Sequence, residues 1–159
     1  MNQYIKSLKD SDKINRVLNK RTWKPPKNPF RISGPCSVES EDMIVMWAKK
    51  MESIGIDALR GGAYKPCTYP VTKEVGNNGW KEGLREEGLK HLMTAKKETG
   101  MPIVSEIMDI RQINQLSMDT IDIIQVGTRN FQNYSLLDEF GKLDKPILLK
   151  RGTWATIDE

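Results

Sequence analysis

Residues 101–130, MPIVSEIMDIRQINQLSMDTIDIIQVGTRN, carry two short apolar runs, MPIVSEIM and IDIIQVG, on either side of an amphipathic stretch. Each run is apolar almost without interruption, the pattern of a strand buried on both faces, as strands of parallel sheets are. The stretch between them predicts a helix: Asp109 with Gln112 three residues on resembles a capping box, and Ile110, Ile113 and Leu116 follow at helical spacing. This is a β–α–β unit.

The same alternation extends in both directions. Upstream lie FRISG (30–34) and IDALRGG (56–62), and downstream KPILLKRG (145–152). Ser40 can cap a helix after the first run, with Glu41 and Asp42 at its positive end and Met43, Trp47, Met51 and Ile54 on one face before Gly55. Leu89, Leu92, Met93 and Lys96 mark a second helix closing at Gly100, and Leu136, Leu137 and Phe140 another before Gly141. Successive βα units with right-handed crossovers predict a parallel α/β fold, either an open doubly wound sheet or a barrel.

The positions of the charged residues favour the barrel, whose functional groups gather at the C-terminal ends of its strands. Cys36 follows the first run, Arg60 ends the second with Lys65 just beyond, Glu106 ends the third, Arg129 follows the fourth, and Lys150 with Arg151 end the fifth. Four cations from neighbouring strand ends, Arg60, Lys65, Arg129 and Lys150, suit a small, strongly anionic ligand such as a phosphorylated carboxylate. Ordinary salt-bridged rim residues are the structural alternative. Gly61 and Gly62 beside Arg60 are expected to permit close backbone approach to that ligand.

Composition sets the outer limits. The chain has 159 residues, 38% of them hydrophobic, with 25 Lys+Arg against 21 Asp+Glu and a net charge of +4. That suits one soluble domain. No apolar run approaches the roughly 18–20 residues that span a bilayer, and the polar start has no signal-peptide apolar region, so the expected location is cytoplasmic, with no membrane partner. Residues 1–29 carry a charge of +6 and the remainder −2. This basic leader holds Ile14, Val17 and Leu18 on one face of a short helix ending before Pro25 and Pro26. Without aromatic interleaving it reads as solvated, and nucleic acid is not an expected partner. The two cysteines do not make a disulfide framework.

Six segments in order, GPCSVES (34–40), LRGGAYKP (59–66), EEGLKHL (86–92), SEIMD (105–109), VGTRNFQNYSLL (126–137) and KPILLKRGTWATIDE (145–159), resemble the 3-deoxy-D-arabino-heptulosonate 7-phosphate (DAHP) synthases of the type I-beta branch. The related 3-deoxy-octulosonate 8-phosphate synthases share the plan, but LRGGAYKP and GTRN read as the heptulosonate branch. The resemblance implies a (β/α)8 TIM-barrel domain over 30–159. It also implies condensation of phosphoenolpyruvate with erythrose 4-phosphate at a divalent metal, the entry to aromatic amino-acid biosynthesis. Residue by residue it makes Cys36 the metal-ligating thiolate, for Mn, Fe, Zn or Co. Arg60, Lys65, Arg129 and Lys150 become the cradle for phosphoenolpyruvate, Lys65 the group that moves a proton at the aldehyde oxygen, and Glu106 a neighbour of the attacking water.

The chain departs from that pattern in two places. Where the family has Lys-Pro-Arg-Thr, with Arg and Thr on the aldose phosphate, this sequence has Lys65, Pro66, Cys67 and Thr68. Thr68 keeps its expected role, Cys67 replaces a cation, and Lys73 or Lys81 is a candidate substitute. Cys67 near Cys36 also raises a regulatory disulfide as a remote option. The second departure is length: a complete barrel takes about 250 residues, so about five of eight strands are expected here. The family's other metal ligands, a His, a Glu and an Asp, are expected beyond the part represented, and His91, beside Leu92, is expected to be structural. Open sheet edges predict association with another copy or with a complementing C-terminal barrel half, and no synthase activity without it. Two functional classes follow: the phosphoenolpyruvate-binding part of a synthase, or a non-catalytic partial barrel that binds the ligand or a complete synthase.

Overall fold

The structure, a computed structural model, describes residues 30–65 and 83–156. The basic leader and its expected helix, and Cys67, Thr68, Lys73 and Lys81, lie outside the described residues.

Five strands form one sheet: β1 (Ile32–Ser33), β2 (Ala58–Arg60), β3 (Ile103–Glu106), β4 (Ile123–Val126) and β5 (Ile147–Leu149). All neighbours are parallel, and their order along the sheet is their order in sequence. Between them run helices α1 (Glu41–Ser53), α2 (Arg85–Thr99), α3 (Gln115–Thr120) and α4 (Tyr134–Gly141). Right-handed crossovers taken in unbroken order put every helix on one face of the sheet, whereas a doubly wound sheet reverses its order to cover both. Ile44, Ala48 and Met51 of α1, Leu89, Leu92 and Ala95 of α2, and Leu136 and Phe140 of α4 accordingly share one core with Leu59, Ile103, Ile124 and Val126. The sheet is the arc of a half-barrel.

Alternation along each strand sends the neighbouring residues to the inner face. Ala58, Val104 and Ile123 form a second apolar cluster there, with Phe30, Ile32 and Leu148 packed against it. Two residues further along the strands, the same face carries Arg60, Glu106 and Gln125. The inner face is therefore apolar at the N-terminal end of the sheet and polar at the C-terminal end. Lys96 secures the opposite end of the helical layer: its ammonium donates to Asp122 Oδ1 at 2.8 Å, while Asp122 Oδ2 accepts from the Ile103 amide at 2.9 Å.

Three local expectations are corrected. The buried stripe of α1 is Ile44, Ala48 and Met51, with Met43 and Trp47 at its margins and Ile54 exposed; Ser40 does cap the helix, accepting from the Met43 amide at 3.2 Å. Asp109 caps a single 3₁₀ turn, Ile110–Gln112, through the Arg111 amide, and the capping box proper belongs to Asn114 and Ser117 at the start of α3. Gln112 instead turns back to accept from the Met108 amide at 2.8 Å. The β5 run is not buried on both faces, since Ile147 and Leu149 are exposed where no described strand follows.

Candidate active site

The loop after β1 reaches the rim by a close crossing. Gly34 adopts φ +145°, and a Cβ there would lie 2.1 Å from the Arg60 carbonyl oxygen, so only glycine lets this loop pass over the end of β2. Beyond it, the Val38 amide donates to the Gly62 carbonyl at 2.9 Å. Cys36 is thereby held beside the β2 terminus, with its thiol exposed. Lys65 hydrogen-bonds the sulfur and, with help from Arg60, pulls the thiol below its ordinary pKa against the opposing effect of partial burial. Cys36, Arg60 and Lys65 form one centre in which two cations favour ionisation of the thiol.

A relay of side chains holds Arg60. Its Nε donates to Gln125 Oε1 at 3.1 Å, and Gln125 Nε2 donates to Glu106 Oε2 at 2.9 Å. Glu106 and Gln125 are both buried, and a Cβ on Gly127 would fall 2.0 Å from Glu106 Oε1, so the glycine after β4 makes room for that carboxylate. Gln125 and Gly127 escape sequence inspection because a single Gln in an apolar run looks like a lapse in pattern. The register Glu106↔Gln125 gives it meaning.

Arg129 lies in the 3₁₀ turn Thr128–Asn130 after β4, and Lys150 directly follows β5. Both are exposed at the same ends of their strands. The structure thus brings Arg60 and Lys65 onto Cys36 and places Glu106 one residue pair away through Gln125. Arg129 and Lys150 occupy the adjoining rim, and Thr68 is outside the described residues. The expectation for the glycine pair is corrected: a Cβ on Gly61 would meet Leu92 at 2.9 Å, Val38 at 3.1 Å and Ile44 at 3.2 Å, and one on Gly62 would meet the Cys36 carbonyl oxygen at 2.6 Å. These glycines admit the core and the Cys36 loop rather than a ligand. His91 sits between Glu41, at 3.3 Å, and Glu87, at 3.9 Å, on the outer helices, as a structural residue.

A cysteine sulfur whose ionisation is favoured by neighbouring cations is a competent soft donor for a divalent metal. Among the described residues no three His, Cys, Asp or Glu side chains gather as a ligand set, so Cys36 supplies one donor of several. No helix among them is long and apolar enough to cross a membrane.

Comparison with known proteins gives one consistent result. The family model of the DAHP synthetase I family matches residues 27–159. The chain is 41% identical over 128 residues to phospho-2-dehydro-3-deoxyheptonate aldolase of Thermotoga maritima, covering 80% of this chain and 35% of that protein. It is 27% identical over 123 residues to 2-dehydro-3-deoxyphosphooctonate aldolase of Cupriavidus necator, covering 77% of this chain and 42% of the relative. The crystal structure of the Thermotoga maritima aldolase, a DAHP synthase, superposes with a TM-score of 0.71 at 38% identity, covering 88% of this chain and 38% of that one. The chain therefore spans well under half the length of these relatives.

Proposed function

Since the chain belongs to the DAHP synthetase I family, we propose that it provides the phosphoenolpyruvate-binding side of a 3-deoxy-7-phosphoheptulonate synthase. The reaction condenses phosphoenolpyruvate with erythrose 4-phosphate at the entry to aromatic amino-acid biosynthesis, in the cytoplasm. The observation that carries the reading is the convergence of Arg60 and Lys65 on Cys36 at the C-terminal rim of a half-barrel. Phosphoenolpyruvate bears a carboxylate and a phosphate on adjacent positions, so a guanidinium can grip one of them through two parallel hydrogen bonds while a lysine supplies compact charge. Arg60 has its orientation set by Gln125, and Arg129 and Lys150 complete the cradle.

In the reaction, C3 of phosphoenolpyruvate bonds to the aldehyde carbon, water adds at C2, and phosphate leaves. Lys65 delivers the proton to the aldehyde oxygen as charge develops there. Glu106 sits on the inner face to hold the water that adds at C2. Cys36 would be one of the residues holding a divalent metal, which when bound would supply polarisation of the aldehyde. The other donors belong outside the described residues, and the exposed β5 supports contact with a complementing barrel half or a second copy. The family match does not favour a purely non-catalytic role.

The test is ligand-dependent stability. Phosphoenolpyruvate should raise the melting temperature by mass action, by about 2.7 kcal/mol of stabilisation at a hundredfold excess over Kd. Arg129→Ala should abolish that shift. An unchanged shift in the variant would remove Arg129 from the cradle, and no shift in the wild type would remove the reading.

A further inference from the structure

We propose that Trp154 and Gln132 form a strap between the loops after β4 and β5 and act as positioning residues, holding Arg129 and Lys150 together before phosphoenolpyruvate arrives. The assignment rests on the reading above and adds what keeps the outer half of that cradle in place. The two loops are joined twice. At the sheet, the Lys150 amide donates to the Val126 carbonyl at 3.1 Å, continuing the register Val126↔Leu149. Further out, the Trp154 indole Nε1 donates to Gln132 Oε1 at 3.2 Å. Arg129 and Lys150 both belong to the circuit of chain that these two links close.

Each loop is also folded on itself. In the first, the Asn130 amide donates to the Gly127 carbonyl at 2.9 Å. In the second, the Ala155 amide donates to the Gly152 carbonyl at 3.2 Å, and the Arg151 guanidinium donates to the Ala155 carbonyl. Gly152 is buried where the loops meet. A Cβ there would lie 3.2 Å from Phe131 Cδ1 and 3.4 Å from Trp154 Cε2, so the missing side chain lets an aromatic ring from each loop close over the same backbone. A segment fixed at both ends has less freedom to lose on binding than two loops leaving the sheet separately.

Exposure and charge give the strap its purpose. Trp154 is 59% exposed, so burial does not account for where it sits, and its hydrogen bond crosses from one loop to the other. Arg129 and Lys150 are exposed too, and neither has an ion-pair partner among the described residues. Two unneutralised cations on adjacent strand ends repel each other. An empty cradle is therefore pushed open, and a link beyond the cations opposes that push until the carboxylate and phosphate of the ligand neutralise them.

The experiment measures phosphoenolpyruvate affinity by calorimetry on the full chain, for the wild type, Trp154→Phe, Gln132→Leu and the double variant. Trp154→Phe keeps a ring over Gly152 and loses the N–H, while Gln132→Leu loses the acceptor. Both positions are exposed, so the variants should fold and melt within about 2 °C of the wild type. Each single substitution should weaken binding about fivefold, and the double no further, because both remove the same link. With Trp23, Trp47 and Trp80 replaced by Phe, the fluorescence anisotropy of Trp154 should fall on adding Gln132→Leu, a signal that a general loss of stability would not give. Unchanged affinity in both single variants overturns the strap, as do losses that multiply in the double variant or an anisotropy indifferent to Gln132. A wild type that does not bind phosphoenolpyruvate removes the cradle itself, whereas binding that the variants leave intact removes the strap alone.

Discussion

Lys65 and Arg60 change the acid–base chemistry of Cys36. A thiol hydrogen-bonded by Lys65 with Arg60 behind it loses its proton at lower pH than an isolated cysteine, whose value is 9.0. In metal-free protein the pH profile of iodoacetamide alkylation should have its inflection below that pH, and Lys65→Met should move the inflection upward. An inflection unaffected by Lys65→Met would mean the two side chains do not pair in solution. Asp109 offers a second titration. Arg111 holds its carboxyl down to about 2 from 3.8. A depressed carboxyl stabilises the fold above its unfolded value, and that contribution disappears as pH falls through the folded one. By NMR the Asp109 carboxyl should titrate near 2 and return toward 3.8 in Arg111→Ala. The Glu106–Gln125–Arg60 relay answers to stability instead. Gln125→Leu leaves a buried carboxylate without its amide donor, which should cost about 1–3 kcal/mol in urea unfolding.

Helix ends and strand ends divide the work between stability and function. Asn114 and Ser117 satisfy each other's amides at the start of α3, at 3.0 Å both ways, so Asn114→Ala should lower stability by about 1 kcal/mol. Because α3 packs at the outer layer, the phosphoenolpyruvate shift should be unchanged. Gly34→Ala belongs to the opposite class. Its Cβ would strike the backbone carbonyl of Arg60, which cannot swing aside as a side chain can. The β1 loop must then lift from β2, taking Cys36 away from Lys65. Chemical denaturation should register a loss of more than about 2 kcal/mol, with slower alkylation of Cys36 in whatever fraction folds.

For the domain, the exposed outer strand governs behaviour in solution. Ile147 and Leu149 project from β5 at 36% and 47% exposure, and an apolar strand with unpaired backbone groups is a template for association. Light scattering on the chain at tens of micromolar should find species larger than the monomer. The pair Ile147→Lys with Leu149→Lys should shift them toward monomer, and a size distribution indifferent to both substitutions would place the contact elsewhere.

Chain order, apolar runs and helical spacing were enough to identify a parallel α/β fold with five strands, because burial on both faces and right-handed crossover are consequences of local pattern. The polar strand ends, read in series as Cys36, Arg60, Glu106, Arg129 and Lys150, fall on one rim for the same reason: parallel strands deliver equivalent positions to the same end. Details that depend on neighbours far along the chain were not legible. Ile44 and Ala48 rather than Met43 and Trp47 face the core because the packing of α1 against α2 and the sheet decides which stripe is buried. Gly61 and Gly62 serve packing, since Leu92 and the Cys36 loop approach from distant segments. Gln125 acquires its role only when strand register brings it between Glu106 and Arg60. Periodicity specifies what each segment is, whereas side-chain partnerships need the relative placement of segments, which only tertiary packing supplies.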